Sequence, residues 1–187
     1  MKLILASTSP RRIEIFKKWN FDFEYKSPSY NETSDSGDPI KTVLLNAYGK
    51  AKSIQKDYFY DTIIGLDTVV EFQGKIIGKP LSKKHNRIIL KKLSNKTHTV
   101  ITGIAILYRE AFIIDYAITY VSFREISKSE IEDYVSSNEG NDKAGGYAAQ
   151  GIGSSFIKNI DGPLDNVIGM PIFAIKEGLY KINRLKK

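Results

Sequence analysis

The sequence predicts an α/β domain with a mixed β-sheet flanked by helices. Three observations carry that expectation. Strand-like runs and segments of helical period interleave along the whole chain, two pairs of strand-like runs are joined by tight turns, and there is no internal repeat, low-complexity tract or linker to divide the chain.

A chain of 187 residues is long enough for one sizeable core, so a single domain spanning 1–187 is expected. It contains no cysteine, which excludes a disulfide framework, a thiolate zinc site and a cysteine nucleophile, and fits a reducing compartment. The first apolar run is too short for a signal peptide and its arginines follow it instead of preceding it. No stretch approaches the roughly 20 apolar residues of a membrane span. The expectation is a cytoplasmic protein with no membrane partner. The formal charge of +7 has two readings: affinity for polyanions, or a lysine-rich solvated surface. Many lysines fall in mixed-charge or terminal segments such as 181–187, and neither zinc-finger spacing nor a ribonucleoprotein-type aromatic motif is present. That argues against a nucleic-acid partner.

In chain order, residues 3–6 form a short apolar strand. Ser7-Thr8-Ser9-Pro10 follows, with Ser9 as helix cap and Pro10 at the first helical position. Ile13, Phe16 and Trp19 then recur on one face. Strand, polar turn and helix start is a layout suited to anions, because free backbone N–H groups point outward there. Arg11 and Arg12 in that first turn oppose the helix dipole, which a nearby anion would explain. Residues 21–25 alternate weakly as a second strand, and 27–38 form a polar loop carrying Glu32 and Asp35. Asp38-Pro39 restarts a helix whose apolar face is Ile40, Val43, Leu44, Ala47, Ala51 and Ile54. Lys50 borders that face, either snorkelling to water or reaching into a pocket.

Residues 63–80 are the centre of the reading. Ile63, Ile64 and Leu66 lead to Asp67, then Val69, Val70 and Phe72, a Gln73-Gly74 turn, and a return strand ending in Gly78-Lys79-Pro80. An acid inside such an apolar run is costly unless paired, hydrogen-bonded or bound to metal. The alternative is a strand-edge acid facing water. Beyond the hairpin, Ser82 caps a helix with Ile88, Ile89 and Leu93. Residues 97–107 and 112–123 read as an antiparallel pair, and Ser127 with Glu130 forms a capping box. His85 and His98 lack metal-ligand spacing and are read as structural. Residues 141–153 form a glycine-rich loop containing Gln150, where glycine density means tight turns or close backbone approach. Residues 154–160 read as a last strand, and 166–171 lead into a last helix through Ile175.

Taken together, four cations (Arg11, Arg12, Lys50, Lys79), two acids (Glu32, Asp67) and an uncharged amide (Gln150) match a ligand carrying several negative charges and a metal. A nucleoside triphosphate with a divalent cation meets that description. Carboxylates hold a hard cation, Lys and Arg neutralise phosphates, and an amide can read a base edge.

The blocks LILASTSPRR, GLDTVV, IIGKP, LSNKTHTVITG, DKAGGYAAQG and NVIGMP occur in the order found in the Maf family of nucleoside triphosphate pyrophosphatases, also called septum formation proteins. The resemblance runs over about residues 3–179 and is specific because six blocks keep their order. It implies a Maf/ITPase-like α/β fold with an elongated, twisted mixed sheet, a divalent metal (Mg or Mn) and a homodimer. It also implies hydrolysis of a nucleoside triphosphate to monophosphate and pyrophosphate. By position, Asp67 matches the catalytic base, and Arg11, Thr68 and Gln150 match residues of substrate choice. Ser7, Arg12, Lys50 and Lys79 match phosphate-binding positions, and Glu32 with Asp67 is the expected metal-ligand pair. The glutamine at 150 resembles the branch acting on dTTP and UTP; the branch acting on 7-methyl-GTP carries glutamate there. Four places depart from the pattern. Leu66 stands for alanine, Leu45-Asn46-Ala47 for Arg-Leu-Ala with one cation lost, Asp38-Pro39 for Glu-x-Pro, and Ala148-Ala149 for Gly-Ile. Two alternatives stay open at this stage. One is the same reaction on a modified or 7-methyl-purine nucleotide. The other is a basic nucleic-acid-binding regulator with degenerate catalysis, which predicts steeply salt-dependent binding.

Overall fold

The structure, a computed structural model, describes residues 2–34 and 36–185. Asp35 of the polar loop and the last two lysines of the basic C-terminus lie outside the described residues. The strands are β1 (Leu3–Ala6), β2 (Glu24–Lys26), β3 (Thr62–Phe72), β4 (Lys75–Ile77), β5 (Thr97–Tyr108), β6 (Ala111–Phe123) and β7 (Ile157–Asp161). The helices are α1 (Pro10–Lys18), α2 (Pro39–Ile54), α3 (Lys83–Leu93), α4 (Lys128–Ser137), α5 (Leu164–Val167) and α6 (Ile172–Arg184). The seven strands form one sheet in the order β2-β1-β3-β5-β6-β7, with β4 paired to β3. Both β2 and β3 run parallel to β1, whereas β4 is antiparallel to β3 and β7 to β6, so the sheet is mixed as expected. Among the described residues no helix is long and apolar enough to cross a membrane.

The chain divides into two compact units. The first comprises Met1–Asp67, Thr102–Ala117 and Gly169–Lys187. Its strands have the two-residue side-chain period of a pleated sheet. Leu5, Ile64 and Ile106 therefore enter one cluster with Phe16 of α1 and Ile175 of α6, while Ile4, Ile63 and Ala105 enter another with Ala47 and Ala51 of α2. Helix α2 lies very close to its strands. A Cβ at Gly65 would stand 2.0 Å from the Ala47 carbonyl oxygen, and one at Gly103 would stand 2.4 Å from that of Val43. Only glycine permits that approach, and it brings α2 side chains to the end of the apolar run that precedes Asp67. Asp38 starts α2 as expected, its Oδ1 accepting from the Ile40 and Lys41 N–H groups at 2.7 and 3.2 Å.

The second unit comprises Thr68–Ile101 and Ile118–Ile168. Its core joins Leu90 and Leu93 of α3, Tyr134 and Val135 of α4, and Val121, Phe123 and Phe156. Gln73 and Gly74 turn the β3–β4 hairpin with φ of 53° and 75°, the positive pair that a two-residue hairpin turn needs. Ser82 caps α3, and Ser127 with Glu130 forms a complete capping box on α4. Both histidines are structural, as read. His85 Nδ1 accepts from the Leu81 N–H at 3.2 Å, and His98 Nε2 lies 2.7 Å from the Tyr147 hydroxyl.

Burial pushes the His98 imidazole down to about 4. The unfolded chain takes up this proton near the ordinary histidine value, so the stabilisation is complete above that value and is lost as pH falls towards the folded one. Through this group, unfolding free energy is expected to drop by about 2 kcal/mol from about pH 7 to about pH 5. Urea unfolding midpoints of the wild type and His98→Gln across that window check it: the substitution should remove most of the slope.

Three local expectations are corrected. The second strand is Glu24–Lys26 instead of 21–25, because Phe21 and Phe23 turn inward onto the Phe16 ring, with centroids at 4.8 and 4.9 Å. Trp19 does not join the packed face of α1. It ends the helix 52% exposed, with the Lys176 ammonium 4.5 Å from its ring centroid. The last strand starts only at Ile157, because the Glu139 carboxylate accepts from the Ile152 and Gly153 N–H groups at 2.9 Å each and holds residues Ile152–Phe156 in a 3-10 turn.

Candidate active site

Asp67 is buried in the apolar run of β3, 6% exposed, so it is not a strand-edge acid facing water. Its partners come from α2. Lys50 Nζ donates to Asp67 Oδ1 at 2.6 Å, and Asn46 Nδ2 donates to Asp67 Oδ2 at 2.9 Å. Lys50 and Asn46 are four residues apart and so lie one above the other on the same helical face. The Lys50 side chain does not snorkel. Its ammonium also lies 2.7 Å from Glu32 Oε1, so two carboxylates converge on one cation. The two ion pairs are not equivalent. Lys50 and Asp67 are 10% and 9% exposed at their side chains, whereas Glu32 is 57% exposed, so solvent screens its pair and the Lys50–Asp67 pair carries the local energetics.

Arg12 reaches from the first turn of α1 to the same strand end. Its Nη1 donates to the Leu66 carbonyl at 2.9 Å and its Nε to the Gly169 carbonyl at 3.1 Å. Burial lowers the Arg12 pKa from its ordinary value, and the negative charge of Asp67 opposes that shift. Arg11 is half-buried, and its side chain makes no hydrogen bond or ion pair among the described residues. Ser9 occupies the cap position of α1, yet its side chain caps nothing. Instead, Ser7 Oγ accepts from the Ser9 N–H at 3.2 Å, just ahead of the helix. The first N–H groups of α1 are left without a side-chain cap, in the position from which helix starts bind anions.

Ser7, Arg11, Arg12, Glu32, Lys50 and Asp67 thus belong to the first unit, and Asp67, Lys50 and Glu32 are in direct contact. Thr68, Lys79 and Gln150 belong to the second. Thr68 is half-buried on β3, while Lys79 and Gln150 are exposed. The β3–β4 ladder ends at the Val70–Ile77 pair, and Lys79 follows it outside any strand. The Gly78 carbonyl beside Lys79 accepts from the Gly145 N–H at 3.2 Å, which ties the end of the hairpin to the glycine-rich loop that carries Gln150.

One residue escaped the sequence reading. Asn46 was noted only as a departure from a family pattern, yet it is buried, 2% exposed, and holds the second oxygen of Asp67. A signal for it was present. Thr42, Asn46 and Lys50 recur every four residues through an apolar helix, a polar stripe that needs a polar partner.

The donor set suits a hard divalent cation. Asp67 and Glu32 already share one positive charge through oxygen, and magnesium is commonly held by one or two carboxylates with phosphate oxygens and water completing its shell. Among the described residues there is no cluster of three or more His, Cys, Asp or Glu side chains that could hold a metal ion. Two carboxylates facing cations and an uncapped helix start can hold a polyphosphate and place an acceptor beside it.

Comparison with known proteins shows what the chain is similar to. A family model described as Maf-like protein matches residues 2–182. A protein of Pyrococcus furiosus named dTTP/UTP pyrophosphatase is 42% identical over 187 residues, covering 100% of this chain and 98% of that protein. Proteins of the same name from Aquifex aeolicus and Clostridioides difficile are 40% and 39% identical, covering 99% and 97% of this chain and 97% and 95% of theirs. Among solved structures, the Staphylococcus aureus Ham1 protein matches with a TM-score of 0.45 at 15% identity over 66% of this chain and 72% of that one; a likeness so loose carries no argument.

Proposed function

The chain belongs to the Maf-like protein family, and from that premise we propose that it hydrolyses dTTP and UTP to the monophosphate and pyrophosphate. The observation that carries this reading is similarity along the full chain, at 42% identity, to a protein named dTTP/UTP pyrophosphatase. The buried Asp67–Lys50 pair with Glu32 supplies chemistry consistent with it.

In the proposed mechanism Asp67 accepts a proton from water as the water oxygen attacks the α-phosphorus. The new P–O bond forms as the bond from the α-phosphorus to the α–β bridging oxygen breaks, and pyrophosphate leaves with that electron pair. The proton on Asp67 passes to solvent. A positioned general base of this kind contributes about 10²–10⁴-fold. Ser7, Arg11, Arg12, Lys50 and Lys79 bind phosphate oxygens and offset their charge. Asp67 and Glu32 would hold a divalent cation, Mg or Mn, whose chemistry is to neutralise phosphate charge. Arg11, Thr68 and Gln150 set substrate choice, Gln150 offering a paired donor and acceptor to a base. The whole chain serves as one catalytic domain, cytoplasmic and homodimeric.

Pyrophosphate release from a panel of nucleoside triphosphates tests the reading. dTTP and UTP should turn over well ahead of the rest, and a preference for 7-methyl-GTP or another modified nucleotide would reassign the substrate. Turnover is expected to vanish with excess chelator and return on adding Mg or Mn. Undiminished turnover in chelator would remove the metal from the mechanism.

A further inference from the structure

Asn46 is placed as no ordinary core residue would be. It sits mid-helix on α2, beside Ala47 and Val43, and all its strong hydrogen-bonding capacity is directed at two targets. Its Oδ1 accepts from the Thr33 N–H at 2.9 Å, and its Nδ2 donates both to the Thr33 carbonyl at 2.9 Å and to Asp67 Oδ2 at 2.9 Å. The two-point pairing with Thr33 fixes which way the amide faces. Rotating it by half a turn would set Oδ1 against the Thr33 carbonyl and against Asp67 Oδ2, and Nδ2 against the Thr33 N–H, so like groups would meet at every contact. The donor is therefore locked onto Asp67. Thr33 directly follows Glu32, whose carboxylate meets the Lys50 ammonium on the other oxygen of Asp67. One amide thus joins the acid on β3 to the loop that carries the second acid.

We infer that Asn46 is a positioning residue of the phosphohydrolase site: it orients the Asp67 carboxylate and pins the Glu32 loop to it through Thr33. This rests on the function proposed above. Asn46 itself touches neither substrate nor metal; it acts by keeping two acids on separate elements in register. A buried donor to a charged acceptor cannot be replaced by an apolar side chain of similar shape without releasing both groups it holds.

The test uses Asn46→Leu and Asn46→Asp. Leucine removes every polar contact. Aspartate keeps the shape and the bond from the Thr33 N–H but loses both donated bonds and sets a carboxylate against Asp67. Each variant should lower kcat for dTTP by about tenfold or more, per folded molecule, with KM held within about twofold. In a Glu32→Gln background, Asn46→Leu should cost a smaller factor than in the wild type, because part of what it does is to hold that loop. A purely structural asparagine would cost the same factor in both backgrounds. Independently of turnover, hydrogen exchange in the unaltered protein should find the Thr33 amide protected, and Asn46→Leu should speed its exchange while the α2 backbone amides keep theirs. Turnover of Asn46→Leu within about twofold of wild type, equal cost in the Glu32→Gln background, or an unprotected Thr33 amide in the wild type would each overturn the inference. If leucine prevents folding, the isosteric aspartate and the wild-type exchange measurement still decide. A wild type that hydrolyses no nucleoside triphosphate, yet protects Thr33, would overturn the function and leave the Asn46 clamp standing.

Discussion

Asp67→Asn is expected to lose at least about a thousandfold in dTTP turnover, within the range for removing the general base proposed at this position. It is not a silent substitution for the fold. Lys50 donates to one oxygen of Asp67 and Asn46 to the other. An asparagine at 67 must turn its own NH₂ towards one of them, so a donor faces a donor whichever way it settles. Asn46 is pinned by Thr33 and cannot rotate to accommodate it. Lys50 also loses the formal charge of its one well-buried partner. The variant should stay folded with unfolding free energy reduced by about 1–3 kcal/mol. Pyrophosphate release and urea unfolding measure the two effects separately. Retention of most turnover would displace Asp67 from the chemistry, and unchanged stability would contradict the hydrogen bonds around it.

Lys50→Met is the second large effect, and it works mainly through stability. The substitution keeps the unbranched stem and removes the ammonium. It leaves Asp67 buried with Asn46 as its remaining donor and takes away the cation that Asp67 and Glu32 share. Breaking a buried pair from one side costs about 3–5 kcal/mol, because the surviving charge stays desolvated. The double variant Asp67→Asn/Lys50→Met should be less destabilised than the sum of the two singles, since neither charge is then stranded. Denaturant unfolding of all four proteins in the cycle reads this directly. Additive losses would mean that the pair is not coupled in solution. In turnover, Lys50→Met should raise KM for the nucleotide as well as lower kcat, because Lys50 is also proposed to meet a phosphate.

Much of this was legible in the residues. The β3–β4 hairpin follows from β-branched residues around Gln73-Gly74, and the start of α2 follows from Asp38-Pro39. The capping box of α4 follows from Ser127 and Glu130. Each depends on contacts within a few residues, and local chemistry decides those. The errors are of the opposite kind. Phe21 and Phe23 have strand-like composition, but the Phe16 ring offered them a better surface. Residues 154–156 read as the start of a strand too, but Glu139 captured the backbone donors of Ile152 and Gly153 just ahead of them and set a 3-10 turn there instead.

The same division runs through the candidate site. The sequence by itself posed the choice at Asp67: a carboxylate set among Ile63, Ile64, Leu66, Val69 and Val70 is paired, hydrogen-bonded or metal-bound, or else it faces water at a strand edge. It also set Arg11 and Arg12 in the first turn of a helix whose dipole they oppose, a placement that a nearby anion would explain. Only the tertiary structure decided which partners Asp67 received. Gly65 and Gly103 let the backbone of α2 settle onto its strands, and that approach delivers Lys50 to one oxygen and Asn46 to the other. A pairing between residues 17 and 21 positions apart in the chain leaves no local pattern that names the partner, because its energy depends on how closely two elements approach and not on what either prefers alone.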